Sequence, residues 1–100
     1  MAYYLYILYS ESSDKYYIGQ TNDVEGRLLA HNSSDRKTYT SKHRPWVLLK
    51  SFTFPDRCTA MLVEKTVKKK KSRRIIQEII ADIHTSEELL DFLGLNSSAG

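Results

Sequence analysis

Five side chains spread over the first two thirds of this 100-residue sequence have the types that phosphodiester hydrolysis requires. They are Tyr6, Tyr17, Arg27, His31 and Glu64. The reaction needs an activated water, stabilisation of charge on the phosphate oxygens and help for the leaving oxygen. A phenol or imidazole can orient or deprotonate water, a guanidinium fork suits phosphate oxygens, and a carboxylate can hold a divalent ion.

Each of these residues also has a plain structural explanation. In a chain with seven tyrosines, Tyr6 or Tyr17 taken alone is best explained as strand packing. A single helical arginine such as Arg27 is more often a surface residue. Glu64 precedes Lys68 by four positions, which on a helix is the spacing of a surface ion pair. A functional interpretation therefore depends on the set and its order.

The order and spacing of the set carry the functional signal. Tyr4-Leu5-Tyr6 is followed about ten residues later by Tyr17-Ile18-Gly19, then by an arginine eight residues on. A glutamate on a later long helix completes the pattern. This resembles the GIY-YIG nuclease superfamily, most closely its small stand-alone bacterial members of the UPF0213 type, and it is similar to the N-terminal nuclease domain of the excinuclease that makes incisions in nucleotide-excision repair. The sequence departs from the family name at Tyr4 and Leu5.

The resemblance implies an α+β fold, with a three-stranded, mainly antiparallel sheet flanked by helices. It also implies a metal-dependent endonuclease with low sequence specificity, acting on DNA rather than RNA, in repair or recombination. Tyr17 would lie near the attacking water with Tyr6 beside it, and His31 would hold a phosphate oxygen or assist the water. Glu64 would be the protein ligand for one Mg²⁺ or Mn²⁺, since such ions accept a single carboxylate when water and substrate complete the shell.

The elements that must position these residues are visible in the pattern. Residues 3–9 and 16–20 predict two strands of a hairpin, with Tyr6 on one face of the first strand, and residues 46–54 predict a third strand. Asn22 and Glu25 predict a capping box for a helix that ends near Asn32. Arg27 and His31, four apart, would share one face of that helix.

The second half of the sequence predicts three further helices. One begins near Asp56 and runs through the lysines to a break at Ser72. The isoleucines of 75–83 form one apolar stripe of the next helix, which favours core packing. Thr85 and Glu88 form a capping box for a last helix that Gly94 ends.

Basic residues cluster where a polyanion would bind. All 15 Lys/Arg precede residue 75, and seven of them lie within 65–74 without an acid. Such clustering favours nucleic acid, although a solvated helix face explains it equally well. We predict contacts from this run and from the polar loop 33–45, with Gly19 allowing close backbone approach. The predicted nucleic-acid-binding residues are Gly19, Lys37, Lys42, His43, Arg44, Lys65, Lys68 and Lys71.

Length and composition limit the other possibilities. We predict one nuclease domain over 1–84, a helix over 85–95 packed on it, and a disordered tail over 96–100. The single cysteine, Cys58, excludes an internal disulfide and favours the cytoplasm, and no stretch reaches the roughly 20 apolar residues of a membrane span. Residues 3–9 are too short for a signal peptide. Two alternatives stay open: a non-catalytic nucleic-acid-binding module on the same fold, and a protein-binding adaptor using the acidic C-terminal helix.

Overall fold

The chain folds around a three-stranded antiparallel sheet of order β2-β1-β3 in a computed structural model that describes residues 2–33 and 42–95. The described elements confirm the predicted α+β class and lie close to the predicted bounds. They are β1 (Tyr3–Ser10), β2 (Lys15–Thr21), α1 (Val24–Ser33), β3 (Trp46–Phe54), α2 (Arg57–Lys70), α3 (Arg73–Asp82) and α4 (Ser86–Phe92).

The central strand β1 is buried on both faces, and its side chains point alternately into two separate cores. Leu5 and Ile7 point into the larger core, formed with Val63 of α2 and with residues of α3 and α4. Tyr6 and Leu8 point to the other face, where they pack with Trp46 and with α1. Helix α1 therefore covers the face of the sheet that carries Tyr6.

Helix ends follow the predicted chemistry with one correction. Asp23, and not Asn22, caps α1, because the Gly26 amide donates to Asp23 Oδ1 at 3.1 Å. The two neighbours are both good cap formers, and α1 begins one residue later than the Asn22 prediction requires. The capping box of Thr85 and Glu88 is present as predicted.

Lys71 ends α2 with a left-handed backbone (φ 48°), and Ser72 then caps α3. Ile79 of α3 and Leu89 of α4 are both fully buried in the larger core, so the isoleucine stripe is core packing as predicted. Residues 96–100, predicted to be a disordered tail, lie outside the described residues. Across the described ranges, none of the helices combines the length and apolarity that crossing a bilayer requires.

Candidate active site

The site is built around a contact between the sheet and α1. The Tyr6 hydroxyl oxygen and His31 Nε2 form a hydrogen bond of 3.0 Å, and the imidazole tautomer sets which of them donates. Tyr6 is only 1% exposed, whereas His31 is half-buried. The buried phenol thus fixes an imidazole that solvent can still reach.

Tyr17 brings a second phenol to the same face. It pairs with Leu8 across β1 and β2, so it lies on the α1 side of the sheet. Its ring centroid is 4.7 Å from that of His31, edge to face, and 6.2 Å from that of Tyr6. Unlike Tyr6, it is half-buried. Tyr17 is therefore the phenol of this pair that a substrate or water can approach.

Gly19 makes room for the Tyr6 phenol. The two residues are direct partners in the β1–β2 ladder. A Cβ atom at position 19 would lie 2.5 Å from the Tyr6 hydroxyl oxygen, closer than any real contact of this kind. Glycine is therefore required here to seat Tyr6 beside His31, and the space it leaves is filled by that ring.

Charges around Tyr6 set the ionisation of the site. Burial, together with the nearby Tyr17 and Glu64 side chains, raises the pKa of Tyr6 to about 12, although the Arg27 guanidinium acts to lower it. Burial, followed by the positive charge of Arg27, lowers the pKa of His31 from its usual 6.5. At neutral pH Tyr6 thus keeps its proton and His31 is uncharged. Arg27 is exposed, with its charge close to both.

Glu64 reaches this site from the opposite side of the sheet. Helix α2 packs in the larger core, yet Lys68 Nζ lies 5.6 Å from the Tyr17 ring centroid on the α1 face. Lys68 also donates to Glu64 Oε2 at 2.7 Å. Because β2 is an edge strand, these α2 side chains reach around its edge. The structure thus groups four of the predicted catalytic residues directly and connects the fifth, Glu64, to them through Lys68.

A metal at this site would depend on Glu64. Within residues 2–33 and 42–95, no three His, Cys, Asp or Glu side chains form a cluster. The Glu64 side chain is 23% exposed and therefore accessible to an ion from solvent. A single carboxylate fits Mg²⁺ or Mn²⁺ when water and substrate phosphate supply the remaining oxygens, and does not fit a closed structural metal site.

Six of the eight predicted nucleic-acid-binding residues fall into two groups around the site. Gly19 is not one of them, because it is buried and the Tyr6 ring fills the space where a nucleic-acid backbone was expected to approach. Lys65, Lys68 and Lys71 are exposed along and just beyond α2. The rest of the basic run has local partners: Arg73 binds Asp14 of the hairpin turn, and Arg74 Nε lies 3.3 Å from Glu78 Oε1.

The segment before β3 supplies the second group. Lys42 is exposed, and His43 Nδ1 lies 2.9 Å from the Ser13 hydroxyl oxygen. Arg44 Nη1 donates to the Asn32 carbonyl at 3.1 Å, so part of its binding capacity anchors the segment to α1. Lys37 lies outside the described residues.

Asn32 is a positioning residue that the sequence interpretation missed. Its Oδ1 accepts from the Trp46 amide at 2.6 Å, and its Nδ2 donates to the Trp46 carbonyl at 3.0 Å. This paired amide contact ties the end of α1 to the start of β3, one residue from His31. The sequence showed Asn32 only as a helix end, and nothing local in it indicated a partner at Trp46.

Comparison with known proteins agrees with the geometry. The family model of the GIY-YIG catalytic domain matches residues 2–77. The UPF0213 protein YsiG of Lactococcus lactis is 36% identical over 94 residues, covering 93% of this chain and 88% of that protein. A UPF0213 protein of Xanthomonas campestris is 36% identical over 72 residues, covering 72% of this chain and 70% of its own.

A solved structure shows the same fold. The solution NMR structure of the UPF0213 protein BH0048 from Bacillus halodurans matches with a TM-score of 0.53 and 30% identity, covering 96% of this chain and all of that one. Members of the matching family are generally endonucleases, and the domain implies binding of nucleic acid. The family model covers residues 2–77, and the structure gathers two phenols, an imidazole and a guanidinium where the sheet meets α1; this chain belongs to the GIY-YIG catalytic domain family.

Proposed function

We propose that this protein is a metal-dependent endonuclease that hydrolyses phosphodiester bonds in DNA with little sequence preference. One observation carries the proposal: Tyr6, Tyr17 and His31 meet on the α1 face, and the Glu64–Lys68 pair reaches the same place from α2. The exposed lysines of α2 suit phosphates, which position a nucleic acid without reading its bases. Because phosphate contacts are the same for every base, we expect cleavage to depend only weakly on base sequence.

The ionisation of the site assigns the roles of its side chains. His31 is neutral at neutral pH and takes the proton from the attacking water at Nδ1, while its Nε2–H donates to the Tyr6 oxygen. Tyr6, buried and with a pKa of about 12, keeps its proton and holds the imidazole in place. Tyr17 orients the water by a hydrogen bond. Arg27 binds non-bridging oxygens of the scissile phosphate with its permanently charged fork.

Glu64 would hold the divalent ion, and Lys68 would shift from Glu64 to a phosphate oxygen when the ion binds. When bound, the ion supplies Lewis-acid stabilisation of charge on the phosphate and the leaving oxygen. The negative charge of Glu64 is one of the causes of the raised pKa of Tyr6, which supports placing the ion near the two tyrosines.

A second function has a specific observation in its favour. The 2.7 Å ion pair with Lys68 occupies one oxygen of the carboxylate that a metal needs. A module that binds nucleic acid through its lysines without cutting it would keep this pair intact. It would show salt-sensitive binding that the Tyr17→Phe substitution leaves unchanged, and no cleavage product at any metal concentration.

The test is nicking of supercoiled plasmid and cleavage of branched DNA with Mg²⁺ or Mn²⁺, compared with EDTA. Wild type is compared with Glu64→Gln, Tyr17→Phe and the control Glu78→Gln, whose carboxylate pairs with Arg74 on α3. The endonuclease predicts cleavage only with metal, loss of about 10²-fold or more in the two site variants, and unchanged activity in the control. Cleavage by Glu64→Gln equal to wild type would refute the metal-ligand assignment. Complete absence of cleavage by wild type would favour the binding module.

A further inference from the structure

A cleft of about 520 Å³ opens beside the active site and is not used by the chemistry proposed above. Its volume lies within the range of about 300–1,000 Å³ that is typical of small-molecule sites. It lies between the end of β2, the start of α1 and the start of α2. The lining residues are Tyr3, Gln20, Thr21, Asn22, Asp23, Gly26, Arg27 and Arg57.

Arg27 joins the cleft to the active site. Arg27 is one of the lining residues, and its positive charge acts to lower the pKa values of Tyr6 and His31. A strand of nucleic acid whose scissile phosphate contacts Arg27 therefore has the cleft directly next to it. Arg57, the first residue of α2, is exposed and adds a second guanidinium to the lining.

The lining between the two arginines suits a nucleoside. Gln20 contributes an amide whose Oε1 is buried without a hydrogen-bond partner among the described residues. A buried acceptor without a hydrogen-bond partner costs free energy of folding. A ligand that allows this amide to rotate and form a hydrogen bond would therefore be favoured. Tyr3 contributes a ring on which a base can stack. The carboxylate of the lining, Asp23, has one oxygen occupied in capping α1.

We propose that this cleft is a nucleotide subsite, which seats the single unpaired nucleotide adjacent to the scissile phosphate. Arg57 binds the phosphate on the far side of that nucleotide, and the Gln20 amide hydrogen-bonds its base. This inference rests on the proposed function for the position of the scissile phosphate. It adds a substrate class, namely strands with at least one unpaired nucleotide next to the cut.

Binding without cleavage tests the subsite separately from catalysis. The full chain, labelled with ¹⁵N, is titrated in EDTA with the single-stranded pentathymidylate dT5, and separately with inorganic phosphate. Amide chemical shifts report where each ligand binds, and dissociation constants are measured over a range of salt concentrations. The variants are Gln20→Met, which removes the amide at similar volume, and Arg57→Ala. The control is Arg74→Ala, an exposed cation whose side chain is 88% accessible on α3.

The proposal expects dT5 to shift the amides of residues 20–23 and 26–27 clearly more than phosphate alone does, with the shifts at residues 20–22 specific to dT5. Arg57→Ala should weaken dT5 binding about five-fold and lower the salt slope by about 0.7, the value for one contact to a single-stranded phosphate. Gln20→Met should weaken binding about five-fold with the slope unchanged, because it removes a hydrogen bond and no charge. Arg74→Ala should change affinity less than about two-fold.

Three results would overturn the subsite: dT5 shifts that avoid the cleft, equal shifts with phosphate alone, or wild-type affinity in Gln20→Met and Arg57→Ala. Binding in the cleft by a protein that never cuts DNA would uphold the subsite while the nuclease proposal fails. If the protein cleaves DNA but its Gln20→Met and Arg57→Ala variants bind dT5 like wild type, the nuclease proposal stands and the subsite is refuted.

Discussion

The hydroxyl oxygen of Tyr6 lies 3.0 Å from Nε2 of His31, although 25 positions separate the two residues in the chain. One is on the central strand and the other on the helix that covers it. The bond thus joins sheet to helix, and the burial that accompanies it favours the neutral form of both partners. The same packing that stabilises α1 on the sheet therefore prepares an uncharged imidazole beside two phenols and an arginine.

Cleavage should depend on pH through His31. Because burial and Arg27 lower its pKa below 6.5, kcat/KM should rise with pH through that lowered pKa and level off before neutrality. Tyr6, with a pKa of about 12, should add no change below about pH 11. His31→Gln keeps a hydrogen-bond donor for Tyr6 but cannot accept a proton. Its kcat/KM should therefore no longer fall at acidic pH, and its cleavage rate should be about 10²–10⁴-fold lower than that of wild type.

The control for this pH profile is His84→Gln, which replaces an exposed histidine between α3 and α4 and should leave the profile unchanged. An acidic limb that persists in His31→Gln would assign the titration to another group and remove His31 from the mechanism.

Gly19→Ala should destabilise the fold by about 1–3 kcal/mol, because the new Cβ would overlap the Tyr6 ring and the strand or the ring must move. Urea denaturation measures the change in the free energy of unfolding. In a Tyr6→Leu background, which removes the overlapping atoms, the same substitution should cost clearly less, giving a coupling of at least about 0.5 kcal/mol. Strict additivity of the two changes would show that position 19 does not contact Tyr6.

The residues that share the active face were predictable because local periodicity decides them. Alternation along β1 places Tyr6 and Leu8 on one face, and the register observed in the structure pairs them with Gly19 and Tyr17 on that same face. The spacing of Arg27 and His31 on one helix is equally local. The sequence pattern predicted the helix that carries Glu64, whereas the three-stranded sheet was predicted from the resemblance to the GIY-YIG nucleases.

Contacts between distant segments were not predictable in this way. The bond from Asn32 to Trp46 and the pairing of Arg73 with Asp14, 59 positions away, depend on how whole elements dock. The basic run looked uniform in sequence, yet Arg73 stabilises the hairpin turn while the lysines of α2 are exposed. The predicted cap of α1, Asn22, was wrong by one position, because the structure places the Asp23 carboxylate, and not the Asn22 side chain, at the Gly26 amide.

Lys68→Gln should tighten the binding of Mn²⁺ to the protein and weaken its binding to DNA. The substitution releases the Glu64 carboxylate from an ion pair of 2.7 Å, a change worth up to about five-fold in metal affinity for a partly exposed pair. Stability should change by less than about 0.5 kcal/mol. Isothermal titration with Mn²⁺ measures the first effect, and fluorescence anisotropy of labelled DNA the second.

Lys65→Gln is the matched control for the Lys68 variant, since it removes an exposed charge from the same helix beside Glu64 in sequence. It should weaken DNA binding without tightening that of Mn²⁺. Identical metal affinities in wild type and Lys68→Gln would show that Glu64 is not the ligand for the ion.

Asn32→Ala should destabilise the protein by about 1–3 kcal/mol and loosen α1 from the sheet. It removes two hydrogen bonds and leaves the amide of the buried Trp46 without its partner, which costs more than an exposed bond would. Amide hydrogen exchange should show the loss directly, as faster exchange at Trp46. Because His31 is the preceding residue, the rate of cleavage should fall by more than the loss of folded protein accounts for.

Ser33→Ala is the control for this variant. It removes only an exposed hydroxyl that bonds to the Leu29 carbonyl within α1, so its free energy of unfolding should stay within about 0.5 kcal/mol of wild type. Equal protection of the Trp46 amide in Asn32→Ala and wild type would mean that α1 is held to the sheet by its apolar contacts alone.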